Sequence, residues 1–409
     1  MKKIIHTADW HLGCKLYLED RLDEHRKFLG WLEGILEKER PDLLIVAGDV
    51  FDLYTPSNTA QSLYYDFLAH VFKSELDRHV VITGGNHDSP SVLASPSKAL
   101  SCLNVTVVPD EGADQAFAFD CADGGRLAVA ALPFLKESFL RNQADAMLSG
   151  EQKLSDGFRR HLASVVEQAH GLAPEAPLVI SAHCTVSGVS LFSDSREGGA
   201  VGGVDAVSSD VFPEAAYVAL GHIHVPQAVG GRETIRYSGS VLPMDFGEAE
   251  YGKSISVAEI PDDGSAKVRI VPIPVFQELE SVKGTRGDII DRLHQITSVA
   301  PMASRWLEVS LTEGEGDFSE LRAKVRDELA GTDLKLLCLR DLRPRLYDNG
   351  ESVYADVDLQ ITDPLDLARE RLREENLTDR EVEEYLALVS QALDASRMAS
   401  TEEDEEVAR

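Results

Sequence analysis

Five short apolar runs, each ending in a cluster of polar side chains, constrain this chain more than any other feature. Ile4-Ile5 leads to Asp9-Trp10-His11, and residues 43–46 lead to Gly48-Asp49. Residues 80–82 lead to Gly85-Asn86-His87-Asp88, residues 178–180 to Ala182-His183, and residues 217–220 to Gly221-His222-Ile223-His224. The runs are too short for independent helices and rich in β-branched residues, so they read as buried strands. Parallel in one sheet, they would bring their carboxyl ends to a shared edge, where open α/β sheets place their ligand crevices. Aspartates, an asparagine and several histidines would meet there. That donor set suits a borderline divalent ion such as manganese better than calcium or thiolate-bound zinc. It also exceeds what one ion needs. A two-metal hydrolase is the expectation.

The 409 residues exceed the usual size of one domain, which predicts two or three units. No apolar run approaches the ~18 residues of a membrane span, and Met1-Lys2-Lys3 leads straight into a strand, so neither a membrane segment nor a signal peptide is expected. Cys14, Cys102, Cys121, Cys184 and Cys338 are odd in number and scattered, which reads as reduced thiols in a cytoplasmic protein. The net charge of −30 works against a nucleic-acid role, because phosphate contacts normally come from Lys and Arg. Part of the excess is the acidic run 402–406 in an expected disordered tail, and bound metals would turn the pocket locally positive. The isolated chain should grip DNA weakly, so a partner should supply much of the hold.

Alternating strand and helix signals run to about residue 275. Apolar Phe28, Leu29, Leu32, Ile35 and Leu36 recur at helical spacing in 22–36, and Pro41 ends that helix. Ser57 is placed to cap the next helix, which runs through Leu63, Phe67, Leu68 and Val71. Strands are expected at 117–119 and 127–132 about an Asp123-Gly124-Gly125 turn, a helix over 151–171, and antiparallel strands at 235–237, 254–260 and 267–273. Residues 276–345 restart the pattern as a small α+β unit. A linker over 346–363 then precedes two amphipathic helices within 364–395, which read as a docking element or as a C-terminal cap on the fold, and a tail over 396–409. The fold class expected is α/β, a sheet sandwich flanked by helices.

Singly, each polar cluster is ordinary: Asp-x-His is a common loop pair, Asn86-His87-Asp88 fits an Asx-type turn, and a lone His183 would pass for a satisfied core residue. Five in order, each at a strand end, change the balance. Asp49 is suited to bridging two ions, Asn86 offers a neutral oxygen, and His87 can reach substrate while Asp88 orients it. Other chemistries lack support. Gly247 to Ser254 has the Gly-x-x-x-x-Gly-Lys-Ser spacing but leads into the strand expected at 254–260 rather than into a helix, so ATP is not expected on this chain in that manner, and no Gly-x-Ser-x-Gly elbow appears. Cys184 beside His183 should point to the opposite face of its strand.

These motifs resemble the calcineurin-like metallophosphoesterase superfamily and, within it, the bacterial SbcD-type nuclease subunits. The likeness rests on His6-Thr7-Ala8-Asp9-Trp10-His11-Leu12-Gly13, Val46-Ala47-Gly48-Asp49-Val50-Phe51-Asp52, Gly85-Asn86-His87-Asp88-Ser89, Gly221-His222-Ile223-His224 and Tyr237-Ser238-Gly239-Ser240. It implies that Asp9, His11, Asp49 and His224 hold one manganese (or magnesium) ion, and Asp49, Asn86, His183 and His222 the second. His87 then meets the scissile phosphate or the leaving oxygen, held by Asp88. Position 52 is Asp52 where archaeal relatives carry a histidine, so no second catalytic histidine is carried over. The implied activity is 3′-to-5′ exonuclease action on duplex DNA ends and endonuclease action on hairpins or single strands, in DNA repair, recombination and replication. Residues 276–345 would cap the site. The terminal helices would grip an SbcC-type coiled-coil ATPase, and the nuclease subunit would dimerise within a heterotetramer. Tyr64, Phe67, Leu68, Val71 and Phe72 give more apolar surface than one sheet face should need, which fits that dimer; the alternative is that all five pack on their own sheet. The competing reading is a two-metal phosphodiesterase or phosphatase acting on a small phosphate ester.

Overall fold

The apolar runs do fold as strands, but they divide between two sheets rather than sharing one. The computed structural model describes residues 1–343 apart from 74–77, 96–99, 146, 149, 190–205, 262–265, 298–304 and 315. The expected linker, docking helices and tail therefore lie outside the described residues. Met1–Asp341 form one compact unit.

In the first sheet the strands run in the order Lys267–Pro272, Ser254–Ile260, Lys2–Thr7, Leu43–Ala47, His79–Thr83 and Val105–Val108. The last four are mutually parallel, and the first two are antiparallel additions. The second sheet runs Gln227–Val229, Arg232–Tyr237, Tyr217–Gly221, Leu178–His183, Arg126–Leu132 and Ala116–Asp120, with the four central strands parallel. Arg232–Tyr237 thus corrects the expectation of an antiparallel strand: it lies parallel to Tyr217–Gly221 and antiparallel only to the short edge strand.

Side-chain alternation explains the layering. Ile4, Leu43, Ile45 and Val81 face Val129, Val179, Tyr217 and Ala219 of the other sheet. Their neighbours Ile5, Leu44, Val46 and Ile82 face outward against Phe28, Leu32 and Leu36 of the Leu22–Glu39 helix and Phe67 of the Asn58–Lys73 helix. On the far side, Ile180, Val218 and Leu220 pack on Leu154, Phe158, Leu162 and Val165 of the Gly150–Leu172 helix. Both faces of each sheet are covered, which is why the strands read as continuous apolar runs rather than alternating ones. The Ser57 hydroxyl accepts from the Ala60 N–H at 3.2 Å, as its capping position predicted.

Two expectations change here. Tyr64, Phe67, Leu68 and Val71 are buried in the chain's own core, and of the five only Phe72 is exposed (52%). That apolar surplus is needed by the sheet beneath it and gives no argument for a dimer. The small unit expected from residue 276 resolves into a three-stranded parallel layer, Glu278–Gly284, Arg305–Leu311 and Leu334–Asp341. Helices Arg286–Thr297 and Phe318–Leu329 alternate with its strands and bury Ile289, Leu293, Leu321 and Val325 on Val282, Leu307 and Val309. Glu278–Gly284 is half polar along its length, so periodicity conceals it. Tyr17, in the hairpin after the first strand, donates to Glu308 of this unit at 2.9 Å, and Arg340 bonds both.

Candidate metal centre

The carboxyl ends of both sheets meet, and the seven residues expected as metal ligands gather at that seam. The turns after the first two parallel strands are laced together: Asp9 N–H donates to the Gly48 carbonyl at 3.0 Å, His11 N–H to that of Asp49 at 3.0 Å, and Leu12 N–H to that of Val50 at 2.9 Å. From the opposite sheet, His222 N–H donates to Asp9 Oδ1 at 2.9 Å and His183 Nδ1 bonds the Ala47 carbonyl at 2.8 Å. The approach is so close that a Cβ on Gly221 would overlap the Ala47 carbonyl oxygen, and one on Gly48 the His183 ring. Glycine is required at both positions by space, and at Gly48 also by a φ of +90°.

Backbone strain gathers at the same place. Among the described residues seven non-glycine side chains have positive φ, and four of these are Asp9 (51°), His11 (45°), Asp49 (49°) and His222 (101°). Each such conformation costs about 1–3 kcal/mol and persists only where the surroundings enforce it. The strain marks where the fold is spent on side-chain placement.

Two groups of candidate ligands result. Asp9, His11 and His224 place donor atoms within 4.8 Å of one another, as do Asp49, His183 and His222. Asp49 stands between them, its Oδ2 3.7 Å from His11 Nε2 and 3.3 Å from His183 Nε2. Asn86 Oδ1 completes the second group, 3.0 Å from His183 Nε2 and 2.9 Å from His222 Nδ1. A third trio, His11, Asp52 and His87, adjoins the first.

Charge follows from this packing. Burial works against the Asp49 carboxylate, yet His183 and then His11 hold it far below the usual carboxylate range. Burial would likewise strip the proton from His183, but Asp49 and Asp9 push it up to about 9. A proton on His183 and a cation are therefore competitors for the same carboxylate. Burial lowers His11 despite Asp52 and Asp49, leaving it the neutral imidazole that a ligand must be.

Asp88 is not where the sequence put it. Its carboxylate accepts from the backbone N–H of Val50 (3.0 Å), Phe51 (2.9 Å) and Gly85 (2.9 Å). Burial and the nearby Asp49 raise it to about 6 against the pull of those three donors. It clamps the Asp49 turn to the Asn86 turn. His87 is oriented instead by the Asp52 main-chain carbonyl, 2.9 Å from Nδ1, while its own N–H donates to Asp49 Oδ1 at 2.9 Å. Its ring meets that of His11 edge-on at 4.9 Å.

Sequence reasoning missed Glu248, whose Oε1 lies 3.0 Å from His224 Nδ1 and whose Oε2 pairs with Lys253 at 2.6 Å. No local motif announces it; only the neighbouring Ser240, already part of a recognised string, bonds the same carboxylate at 3.3 Å. Beside the second ligand group lies a cavity of about 240 Å³ walled by Phe134, Leu140, Phe158 and Cys184. Burial pushes the Cys184 thiol up to about 12, so it is packing and not a nucleophile.

Comparison with known proteins shows the family. Residues 2–226 match the family model described as calcineurin-like phosphoesterase, and residues 275–376 match one described as type 5 capsule protein repressor C-terminal domain. The SbcD subunit of the SbcCD nuclease of Escherichia coli K12 is 32% identical over 351 residues, covering 83% of this chain and 85% of that one. The Bacillus subtilis protein of the same name is 33% identical over 331 residues, covering 80% of each. That of Rhodobacter capsulatus is 37% identical over 284 residues, covering 66% of this chain and 69% of its own.

Proposed function

We propose that this chain, which belongs to the calcineurin-like phosphoesterase family and within it to the SbcD subunits of SbcCD nucleases, is a metal-dependent DNA nuclease subunit. The observation that carries the reading is the pair of ligand groups meeting at Asp49 across the seam of two sheets. The donors fit two divalent ions: Asp9, His11, Asp49 and His224 for one, Asp49, Asn86, His183 and His222 for the other. Oxygen and imidazole donors without thiolate favour manganese, with magnesium as the alternative.

When bound, such a pair of ions acidifies the attacking water and neutralises charge on the phosphate. The protein's own part is positional. Asp49 spaces the two ligand groups, and the Asp88 clamp fixes its turn. His87, tethered through Nδ1 to the Asp52 carbonyl, leaves its other ring nitrogen for the departing sugar oxygen, a contribution of about 10²–10⁴-fold. Cleavage runs 3′ to 5′ from duplex ends, and hairpins and single strands are cut internally.

The relatives' names include a complex with a second component, which supports an SbcC-type ATPase as the partner. A chain of net charge −30 needs one to hold DNA at ordinary salt. In this reading residues 1–275 form the nuclease domain, 276–345 the cap that positions DNA, and 364–395 the docking helices that follow the 346–363 linker. Two nuclease subunits pair within a heterotetramer in the cytoplasm. Among the described residues no helix is long and apolar enough to cross a membrane.

The test offers the purified chain with manganese a duplex oligonucleotide, a hairpin, a cyclic nucleotide and a chromogenic phosphodiester. Asp49→Ala should abolish hydrolysis of all that the parent cleaves. His87→Ala should lose about 10²–10⁴-fold in turnover while elemental analysis still finds both ions. Full activity in Asp49→Ala overturns the two-ion assignment, and loss of an ion in His87→Ala makes His87 a ligand. Preference for the cyclic nucleotide over DNA would replace the nuclease reading with that of a small-ester phosphodiesterase.

A further inference from the structure

We propose that Glu248, itself held by Lys253, is the positioning residue that fixes the ring and tautomer of His224 as a metal ligand. The inference rests on the reading of His224 as a ligand.

The group is buried almost completely: His224 is 4% exposed, Glu248 1% and Lys253 7%. Glu248 Oε1 faces His224 Nδ1 at 3.0 Å. An ionised carboxylate can only accept, so Nδ1 carries the ring proton and Nε2 is left as a lone pair. That Nε2 lies 3.2 Å from His11 Nε2, which aims two imidazole nitrogens at one point. Glu248 Oε2 takes Lys253 Nζ at 2.6 Å, the Met244 N–H at 3.0 Å and the Ser240 hydroxyl at 3.3 Å. Lys253 Nζ reaches back to the His224 main-chain carbonyl at 3.2 Å and to Ser240 Oγ at 2.8 Å. His224 is thus gripped at ring and backbone by one ion pair.

A buried ion pair is a poor way to gain stability, since desolvation offsets most of its attraction. Its geometry is a good way to orient a ligand, because a carboxylate behind a ligating imidazole fixes the ring and raises its basicity. The two ligand groups differ in this respect. His183 is backed by the neutral Ala47 carbonyl, His224 by a charge. Losing Glu248 should therefore weaken one ion and spare the other.

Glu248→Gln keeps the volume but sets an amide against Lys253 and removes the charge behind the ring. Chelated protein, titrated with manganese by calorimetry and by electron paramagnetic resonance, should show two sites in the parent chain. In Glu248→Gln one site should weaken about 10–100-fold with the other unchanged, and the spectrum of two coupled ions should give way to that of a single ion at concentrations that fill the parent. Ser240→Ala, which removes the hydroxyl that bonds both Glu248 and Lys253, should weaken that site about 2–10-fold and serves where the Gln variant does not fold. Unchanged constants in whichever variant folds overturn the positioning role, as does equal weakening of both sites. A parent chain that binds no pair of ions would instead overturn the metal assignment on which this inference stands.

Discussion

Asp88→Ala separates two accounts of the same carboxylate. In the structure Asp88 accepts three buried backbone N–H groups, from Val50, Phe51 and Gly85, at 2.9–3.0 Å. Alanine leaves all three without that acceptor. An unsatisfied buried donor costs about 1–3 kcal/mol, which bounds the loss at about 3–9 kcal/mol. The turns can relax and admit water, so the lower end is expected, about 3–4 kcal/mol. Unfolding entropy of about 2.1 cal/mol/K per residue over the unit Met1–Asp341 gives about 0.7 kcal/mol per kelvin. The melting temperature should therefore fall by about 4–6 °C. Asp88→Asn, which keeps one acceptor oxygen, should lose less than half as much. Because the clamp joins the Asp49 turn to the Asn86 turn, manganese binding should weaken with stability. Urea unfolding, thermal melting and metal titration on the three proteins suffice. A variant that melts like the parent and keeps both ions, yet turns over slowly, would refute the clamp and restore Asp88 as a partner of His87.

Two further outcomes follow from burial. Leu68→Asp places a charge in the packed core between helix and sheet, so it should cost at least about 3–5 kcal/mol and yield insoluble or partly unfolded chain; a well-folded monomer by circular dichroism and light scattering would return Leu68 to a subunit interface. Burial lowers both His6 and His25 to about 3. Both bind protons more readily unfolded than folded, so their share of stability is present above about pH 6.5 and is lost as pH falls toward 3. His25→Gln, followed by urea unfolding from pH 7 to 5, should flatten the acid slope by about 1.4 kcal/mol per pH unit, and an unchanged slope would show that His25 is charged when folded.

Much of the site was legible because each proposed ligand sits at the end of an apolar strand or within a few residues past it, where pattern and position coincide. Asp9, His11, Asp49, Asn86, His183, His222 and His224 were all visible in this way, and all stand at the seam. What escaped depends on contacts between distant segments. Glu248 lies in a short 3-10 turn with no periodicity, and its meaning comes from His224 behind it in the chain and Lys253 ahead of it. Asp88 sits beside His87 in sequence yet turns toward Val50 and Phe51, a choice that adjacency cannot reveal. A sheet sandwich was expected, but the partition of these strands between its two sheets was hidden for a related reason. A strand buried on both faces reads alike whether its second face meets a helix or another sheet.

Because Asp9 and His11 come from one sheet and His222 and His224 from the other, the site joins segments more than two hundred residues apart in the chain. An ion held from both sides acts as a cross-link, and closing a loop of that length removes about 5 kcal/mol of entropy from the unfolded ensemble on the simplest chain model. The order of synthesis then matters. A chain still emerging from the ribosome makes Asp9, His11, Asp49 and Asn86 long before His183, His222 and His224 exist. Under the proposed assignment only a finished and docked pair of sheets would offer an ion its full set of ligands, so a chain stalled before His222 should bind no pair of ions.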